Sequence, residues 1–587
     1  MSYFKNNGFA FFLSSFTFIF LIANFSFSQT DTPEDSIKIK KIQILHADII
    51  DYDEKNLGKD IKRLKGNVEF MHDSVKMYCD SAYFNSGKNF IQAFNNIHIN
   101  QGDSIHLYGD SLVYDGNIKK AKIRKNVKLT NDSAVLTTDS MNFDRVENTA
   151  YYFNYGKMVD GKNSLESDRG YYFVENKDFV AVDSVILHNP DYDMFSDSLR
   201  YNITSRISYF FGPTTIVSDS NLLYCENGWY DTRHDVAQFN RNAYYTNQKQ
   251  SIKGDSLYYN RKIGFGKAFK NVTLTDSTEN ITITGHYGVY YENPEHSLVT
   301  DSAVFMQISE GDTMFLHGDS LKYKTISDTI QKIKHLDINN KLEEKYKVID
   351  TIYVPDDTVL YSIDSTLVDS VWVKDSVIIK PTDSLVVTYD SIYKFKLLRA
   401  YYKVKIYRND IQAKCDSLVY SLRDSVIEMH YEPVIWSDKN QLTATYIELH
   451  TKNNHPDYII LDAEAFIISR KDSIRFNQIK GKRMIGYFKD DTLRKVNVTG
   501  NGQSIYFATE KDKRDKLEKL IGVNKVNCTD MIIYLKDSEP EKIVFLKNPD
   551  GVMNPVHKLS PSELKLENFV WLIEHRPLKP DDIFKWN

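Results

Sequence analysis

Two residue types in this 587-residue chain recur at spacings that invite a chemical reading: aspartate followed by serine, and cysteine. The Asp-Ser pair stands at Asp80-Ser81, Asp110-Ser111, Asp139-Ser140, Asp197-Ser198, Asp255-Ser256, Asp319-Ser320 and Asp416-Ser417. A carboxylate beside a hydroxyl suggests acid–base or nucleophilic work. A ladder of carboxylates suggests calcium. The spacing speaks against both. The residue before each Asp is small, and it advances from Cys79 to Gly109 by 30 residues. It then moves through Thr138, Ser167, Ser196 and Cys225 to Gly254 in steps of 29. A carboxylate that returns once per repeat is a turn former, because Asp and Ser side chains bond the local backbone. The glycine-rich form of known calcium ladders is absent. So are a Gly-x-Ser-x-Gly elbow, a phosphate-cradling glycine loop and His-Glu-x-x-His, and the histidines are scattered. The chemistry read here is that of a non-enzyme with no cofactor and no metal.

Cysteine follows the same rule. Cys79, Cys225 and Cys415 occupy the small position of the repeat, and Cys528 is a candidate for it. They read as buried small residues. Several repeats separate them, too far for a disulfide.

The elements that position these residues follow from the repeat. Two residues before the small position stands an apolar side chain: Met77, Leu107, Leu136, Leu165, Met194, Leu223, Ile252, Ile283, Leu316. Five after it stands an aromatic: Phe84, Tyr114, Phe143, Tyr172, Tyr201, Tyr230, Tyr259, Tyr290, Tyr323. Residues two apart in a strand share a face. The apolar parity therefore flips across the Asp-Ser pair, which must absorb one residue through a bulge or bend. A second strand precedes each corner, as in Gly66-Asn67-Val68-Glu69-Phe70 and Asn126-Val127-Lys128-Leu129. Each repeat supplies two or three short strands and buries its apolar face only by stacking on the next. The fold class is all-β, a rolled sheet of 29-residue rungs.

Taken in order, Lys5 and the apolar run to Phe25 read as a signal peptide, residues 1–28, cut after Ser28. Residues 29–325 form an N-terminal roll, beginning with a capping part around Ile42–Asp48. Residues 326–396, rich in Asp-Ser and Asp-Thr, are an insert in one rung, either an added hairpin or a flap. Residues 397–555 resume the roll. Lys511–Gly522 reads as a short surface helix. Residues 556–587 form a tail in which Ser560-Pro561-Ser562-Glu563 is a capping box, with a helix bearing Leu566, Phe569, Val570 and Ile573 on one face. The net charge of −5 gives no support to a nucleic-acid partner.

Repeated Gly-Asn-Val and Asp-Ser-Leu-x-Tyr motifs in an exported chain resemble the OstA/LptA-like family of lipopolysaccharide transport proteins. The large OstA-like form is the best fit. The motif Gly66-Asn67-Val68 followed by Cys79-Asp80-Ser81-Ala82-Tyr83-Phe84 carries most of the resemblance. It spans Leu64–Tyr323, and more loosely Ala400–Tyr534. The resemblance implies an open β-jellyroll in the periplasm, bridging toward the outer membrane. It also implies an interior that holds the acyl chains of lipopolysaccharide, and partners in other transport proteins joined by edge-strand addition. The residues that would line such a groove are Met77, Leu107, Tyr114, Leu136, Phe143, Tyr201, Leu223, Ile252, Tyr259, Leu316 and Tyr323. This chain is longer than the minimal periplasmic bridge protein, and residues 326–396 are no part of that pattern. Two other classes compete: a secreted closed β-solenoid scaffold or adhesin, which would have a sealed interior, and a repeat-built carbohydrate-active enzyme. The enzyme would need a carboxylate cluster confined to one rung.

Overall fold

Bent strands in antiparallel succession build each rung. The computed structural model describes residues 41–337, 361–363 and 384–586, apart from 103–104, 132, 310, 454, 512–517 and 537–538. The signal-peptide segment lies outside these residues. Among them, 35 strands join one antiparallel sheet. Over most of the N-terminal part the strands run 10–14 residues, as in Ile61–His72, Val75–Asn85, Phe90–Gln101 and Ile105–Asp115. Two long strands per rung replace the two or three short ones expected. What reads in the sequence as a strand start at Gly66-Asn67-Val68 is the middle of one.

The corner is a joint product of neighbouring strands. On the strand carrying Asp-Ser, parity flips as expected: Cys79 and Ala82 are both buried, with Asp80 and Ser81 between them. On the following strand, two successive residues take left-handed backbone conformations. Asn95-Asn96, Lys125-Asn126, Arg241-Asn242 and Lys270-Asn271 all have φ between 47° and 63°. Asparagine tolerates that region better than other non-glycine residues. The pairing register shifts at each of these points. The repeat aspartate then receives its partner: Asn96 Nδ2 donates to Asp80 (2.8 Å), Asn126 Nδ2 to Asp110 (2.6 Å) and Asn271 Nδ2 to Asp255 (3.0 Å). The recurring carboxylate is a clamp across the corner.

Bending brings the two halves of each strand into two layers with a common core. Leu64, Val68, Met77, Ala82, Leu107, Leu112 and Tyr114 are each less than 4% exposed and belong to one cluster running to Val272. A second cluster runs from Ile281 to Leu535. Each such side chain contributes about 1.5–3 kcal/mol by leaving water. Tyrosines bridge the layers. Tyr114 OH meets His72 Nδ1 at 2.6 Å, Tyr172 OH accepts from Asn131, and Tyr420 OH donates to Gln307 at 3.1 Å. All four cysteines are buried and free.

At residues 326–396 the strands Asp312–Asp337 and Ser384–Tyr407 continue past the sheet as a paired ribbon. They stay paired from Lys324 with Leu397 out to Asp337 with Ser384, and Tyr361–Ile363 pairs on the other side with Val387–Tyr389. Residues 338–360 and 364–383 of the expected insert lie outside those described.

The expected helix at Lys511–Gly522 lies partly outside the described residues; Lys511 ends one strand and Glu518–Gly522 begin the next. The expected tail helix is not formed. The tail from Pro555 to Trp586 is a strap of turns and short 3-10 segments, Val556–Lys558, Ile573–His575 and Pro580–Phe584. Half of the capping box forms: Ser560 N–H and Oγ both donate to the Glu563 carboxylate, at 2.9 and 2.7 Å. Propagation then fails because buried glutamines of the sheet take the backbone groups a helix would need. Leu566 N–H donates to Gln478 Oε1, and Gln478 Nε2 donates to Leu564 C=O, both 2.8 Å. Gln441 does the same for Leu572 N–H (2.7 Å) and Val570 C=O (2.8 Å). A nucleated turn without further bonds does not extend. The strap crosses the outer face of the C-terminal half. Phe569 and Trp571 pack on Phe476, Arg576 donates to Gln412, and Phe584 lies 4.8 Å from the His317 ring.

Candidate functional site

The interior changes character along the sheet. Seven expected lining residues are core: Met77, Leu107, Tyr114, Leu136, Phe143, Leu316 and Tyr323 are at most 5% exposed. Beside Leu136 the free volume is about 20 Å³, room for about one water molecule. The other four, Tyr201, Leu223, Ile252 and Tyr259, are only half-buried. They lie on strands Tyr192–Asn202, Leu222–Asp231 and Gln250–Asn260, and Tyr201, Leu223 and Ile252 pack against the first core cluster.

The layers are bonded differently in this stretch. Elsewhere the aromatic five residues past the corner crosses to the opposite layer, as Tyr114 and Tyr172 do. Here Tyr230 OH donates to Asp235 (2.6 Å), five residues along its own layer. Tyr259 OH donates to Glu292 (3.1 Å) and Tyr245 OH to Asn221 (3.0 Å), each again within one layer. Ile216, Leu223, Ile252 and Leu274 stand half-buried between these tyrosines. The stretch has an apolar floor with phenols around it, and carboxylates and arginines at its edges. Burial pushes the Tyr192 phenol up to about 12, with Asp191 adding to it. Burial and the Glu292 charge do the same for Tyr259. These phenols are neutral donors at physiological pH. Those of Tyr230, Tyr259 and Tyr245 already donate to Asp235, Glu292 and Asn221.

An opening lies in the C-terminal half. A cleft of about 200 Å³ has a floor of Met314, Ile406, Ile411, Ile427, Met429 and Leu449. Its mouth carries ion pairs: Arg408 with Asp410 (2.5 Å) and His455 with Asp491 (2.8 Å). Burial opposes the Arg408 charge, but Asp410, Asp491 and Asp312 outweigh it and hold the guanidinium pKa raised. Sequence reasoning missed this cleft. It arises where the strand ends at Ser309–Asp312 and Arg408–Ile411 meet residues far away in the chain. Tyr192, Ile216 and Tyr245 were also missed; they stand outside the two repeat positions that gave the lining. Among the described residues, no helix is long and apolar enough to cross a membrane.

These features define a class: a repeat-built, almost entirely β protein whose strands join one antiparallel sheet. Comparison with known proteins narrows this. Residues 39–197 and 193–255 match the family described as OstA-like protein, so under half of the chain resembles that family. The rung geometry continues beyond the matched residues, as the buried pair Cys415 and Leu418 shows. No curated protein matches the chain. A solved structure, LptH, titled the LptA homologous periplasmic component of the conserved lipopolysaccharide transport device from Pseudomonas aeruginosa, overlaps at 12% identity with a TM-score of 0.19. The overlap covers 25% of this chain and 95% of that one, and is too loose to carry a statement about fold or function.

Proposed function

We propose that this protein is a non-catalytic periplasmic carrier that holds the acyl chains of lipopolysaccharide inside an open β-roll and bridges toward the outer membrane. The observation that carries this reading is the half-buried apolar row at Ile216, Leu223 and Ile252, beside which Tyr230 and Tyr259 bond within their own layer instead of across to the other. Each methylene moved onto such a surface gains about 0.8 kcal/mol, so one acyl chain is held without any covalent chemistry. The OstA-like match over residues 39–255 supports the same reading. Exposed strand edges at the sheet's ends would join other transport proteins by strand addition. The tight packing around Leu136 favours a second reading, a closed scaffold.

Photo-crosslinking in cells separates the two. A photoreactive residue replaces Leu223 or Ile252 at the opening, and Lys128 on the exposed outer face. Lipopolysaccharide captured at the first two and not at Lys128 is the expected result. Capture at none of the three, with folded and exported protein, would leave the closed scaffold.

A further inference from the structure

The cleft of the C-terminal half opens between the two layers of the sheet. The strand Ile411–Ser421 bends there: its first half pairs with Val434–Ser437 and its second half with Val426–His430. Ile411 therefore enters the cleft from one layer, and the paired Ile427 and Leu449 from the other. All three are at most 7% exposed. Met314 and Met429 complete the floor with flexible side chains that adapt to an occupant. The cleft holds about 200 Å³. A dry cavity of about 150 Å³ binds benzene, so this one has room for roughly eight carbon atoms.

The mouth carries more negative than positive charge. Among the described residues that line the cleft, three carboxylates, Asp312, Asp410 and Asp491, face one guanidinium and one imidazole. Asp410 takes the guanidinium: Arg408 Nε donates to Oδ1 and Nη2 to Oδ2, both at 2.5 Å. Asp491 stands 3.8 Å from Arg408 and 2.8 Å from His455 Nδ1. Asp312 is held by neutral donors, Thr313 N–H at 2.8 Å and Asn409 Nδ2 at 2.9 Å, both at Oδ1. A carboxylate offers about four acceptor sites, so Asp312 keeps room for another donor. An anionic head entering here would meet Asp312 and Asp491 where solvent screening is reduced; a cationic head would offset them.

From this geometry we propose that the cleft binds a small amphiphilic amine, its apolar body between the layers and its ammonium group at the mouth beside Asp312 and Asp491. The apolar floor supplies affinity in proportion to the carbon surface it takes from water. The carboxylates supply selectivity, since an ammonium donates three hydrogen bonds and carries the complementary charge. The Arg408–Asp410 pair fixes the wall between them. This assignment uses none of the residues at Leu223 and Ile252 and does not rest on the acyl-chain reading made there.

The test titrates the full chain at pH 7 with n-octylamine, n-octanol and sodium octanoate, each as monomers, followed by calorimetry. One octylammonium per chain is expected, bound at least about tenfold more tightly than octanoate. Butylamine should bind at least about tenfold more weakly than octylamine, because it leaves the floor unfilled. Ile411→Phe, which fills the cleft, should lower octylammonium affinity by about tenfold or more. Asp312→Asn should bring octylammonium and octanol to within about threefold of each other. No amine binding, octanoate bound as tightly as octylammonium, or unchanged affinity in folded Ile411→Phe would overturn the proposal. Should Ile411→Phe fail to fold, Asp312→Asn decides: an unchanged preference for octylammonium over octanol overturns it.

Discussion

Asn126 shows how much one side chain does in this fold. It sits at φ 50° in the corner doublet and donates to Asp110 at 2.6 Å. Glycine keeps the left-handed backbone but loses the clamp; a β-branched residue loses both. Asn126→Gly should therefore cost under about 1 kcal/mol and Asn126→Val about 2 kcal/mol or more, read from urea denaturation. Equal effects would show that the backbone conformation is not what selects asparagine. The same residue explains what was legible in the sequence. The repeat aspartate was correctly read as a corner residue, because any catalytic duty would have been confined to one rung. Its partner was not read, since Asn126 lies 16 positions away on the next strand. The opening was only partly legible for a related reason. Tyr114 and Tyr230 occupy the same repeat position, yet one crosses the layers and the other bonds Asp235 beside it. Repeat position specifies which face a side chain takes; it does not specify how far the opposite layer stands.

Among elements, the C-terminal strap was the least legible. Its capping box is a true local signal, and half of the box forms. What overrides the helix is nonlocal: Gln412, Gln441 and Gln478 lie on strands well upstream, and their amides bind the strap's backbone and Arg576. A second consequence concerns pH. His317, under Phe584, has its pKa lowered by burial, although Ala303 C=O and Asp319 act the other way. A depressed folded pKa means the unfolded state binds protons first. Docking is therefore complete above the ordinary histidine value of about 6.5 and weakens as pH falls from there through the folded pKa. Protection of the strap's amides, corrected for the intrinsic pH dependence of exchange, should fall from pH 7.5 to 5.5, and His317→Phe should flatten that fall. A fall of equal size in the variant would assign the effect to another group.

For the whole molecule, the division of the core matters most. One cluster ends at Val272 and the next begins at Ile281; the half-buried Ile216, Leu223 and Ile252 pack against the first and Leu274 against the second. A sheet whose rungs touch only their neighbours has local stabilities, not one global value. Amide exchange should be fastest, among paired strands, between residues 207 and 260 and slowest around Leu64–Leu112 and Leu398–Leu461. Uniform protection across these would mean a single cooperative unit. The ribbon bears on the same question from another side. It leaves the sheet at Lys324 and returns at Leu397 with those two residues directly paired. The chain's route outward and back therefore begins and ends at one point in space, so more than seventy residues of sequence correspond to no displacement along the sheet. Such a segment can be spliced out and its ends rejoined by a two-residue hairpin turn without shifting the register of any rung. Whatever the ribbon does is separable, by simple excision, from whatever the rest of the sheet carries.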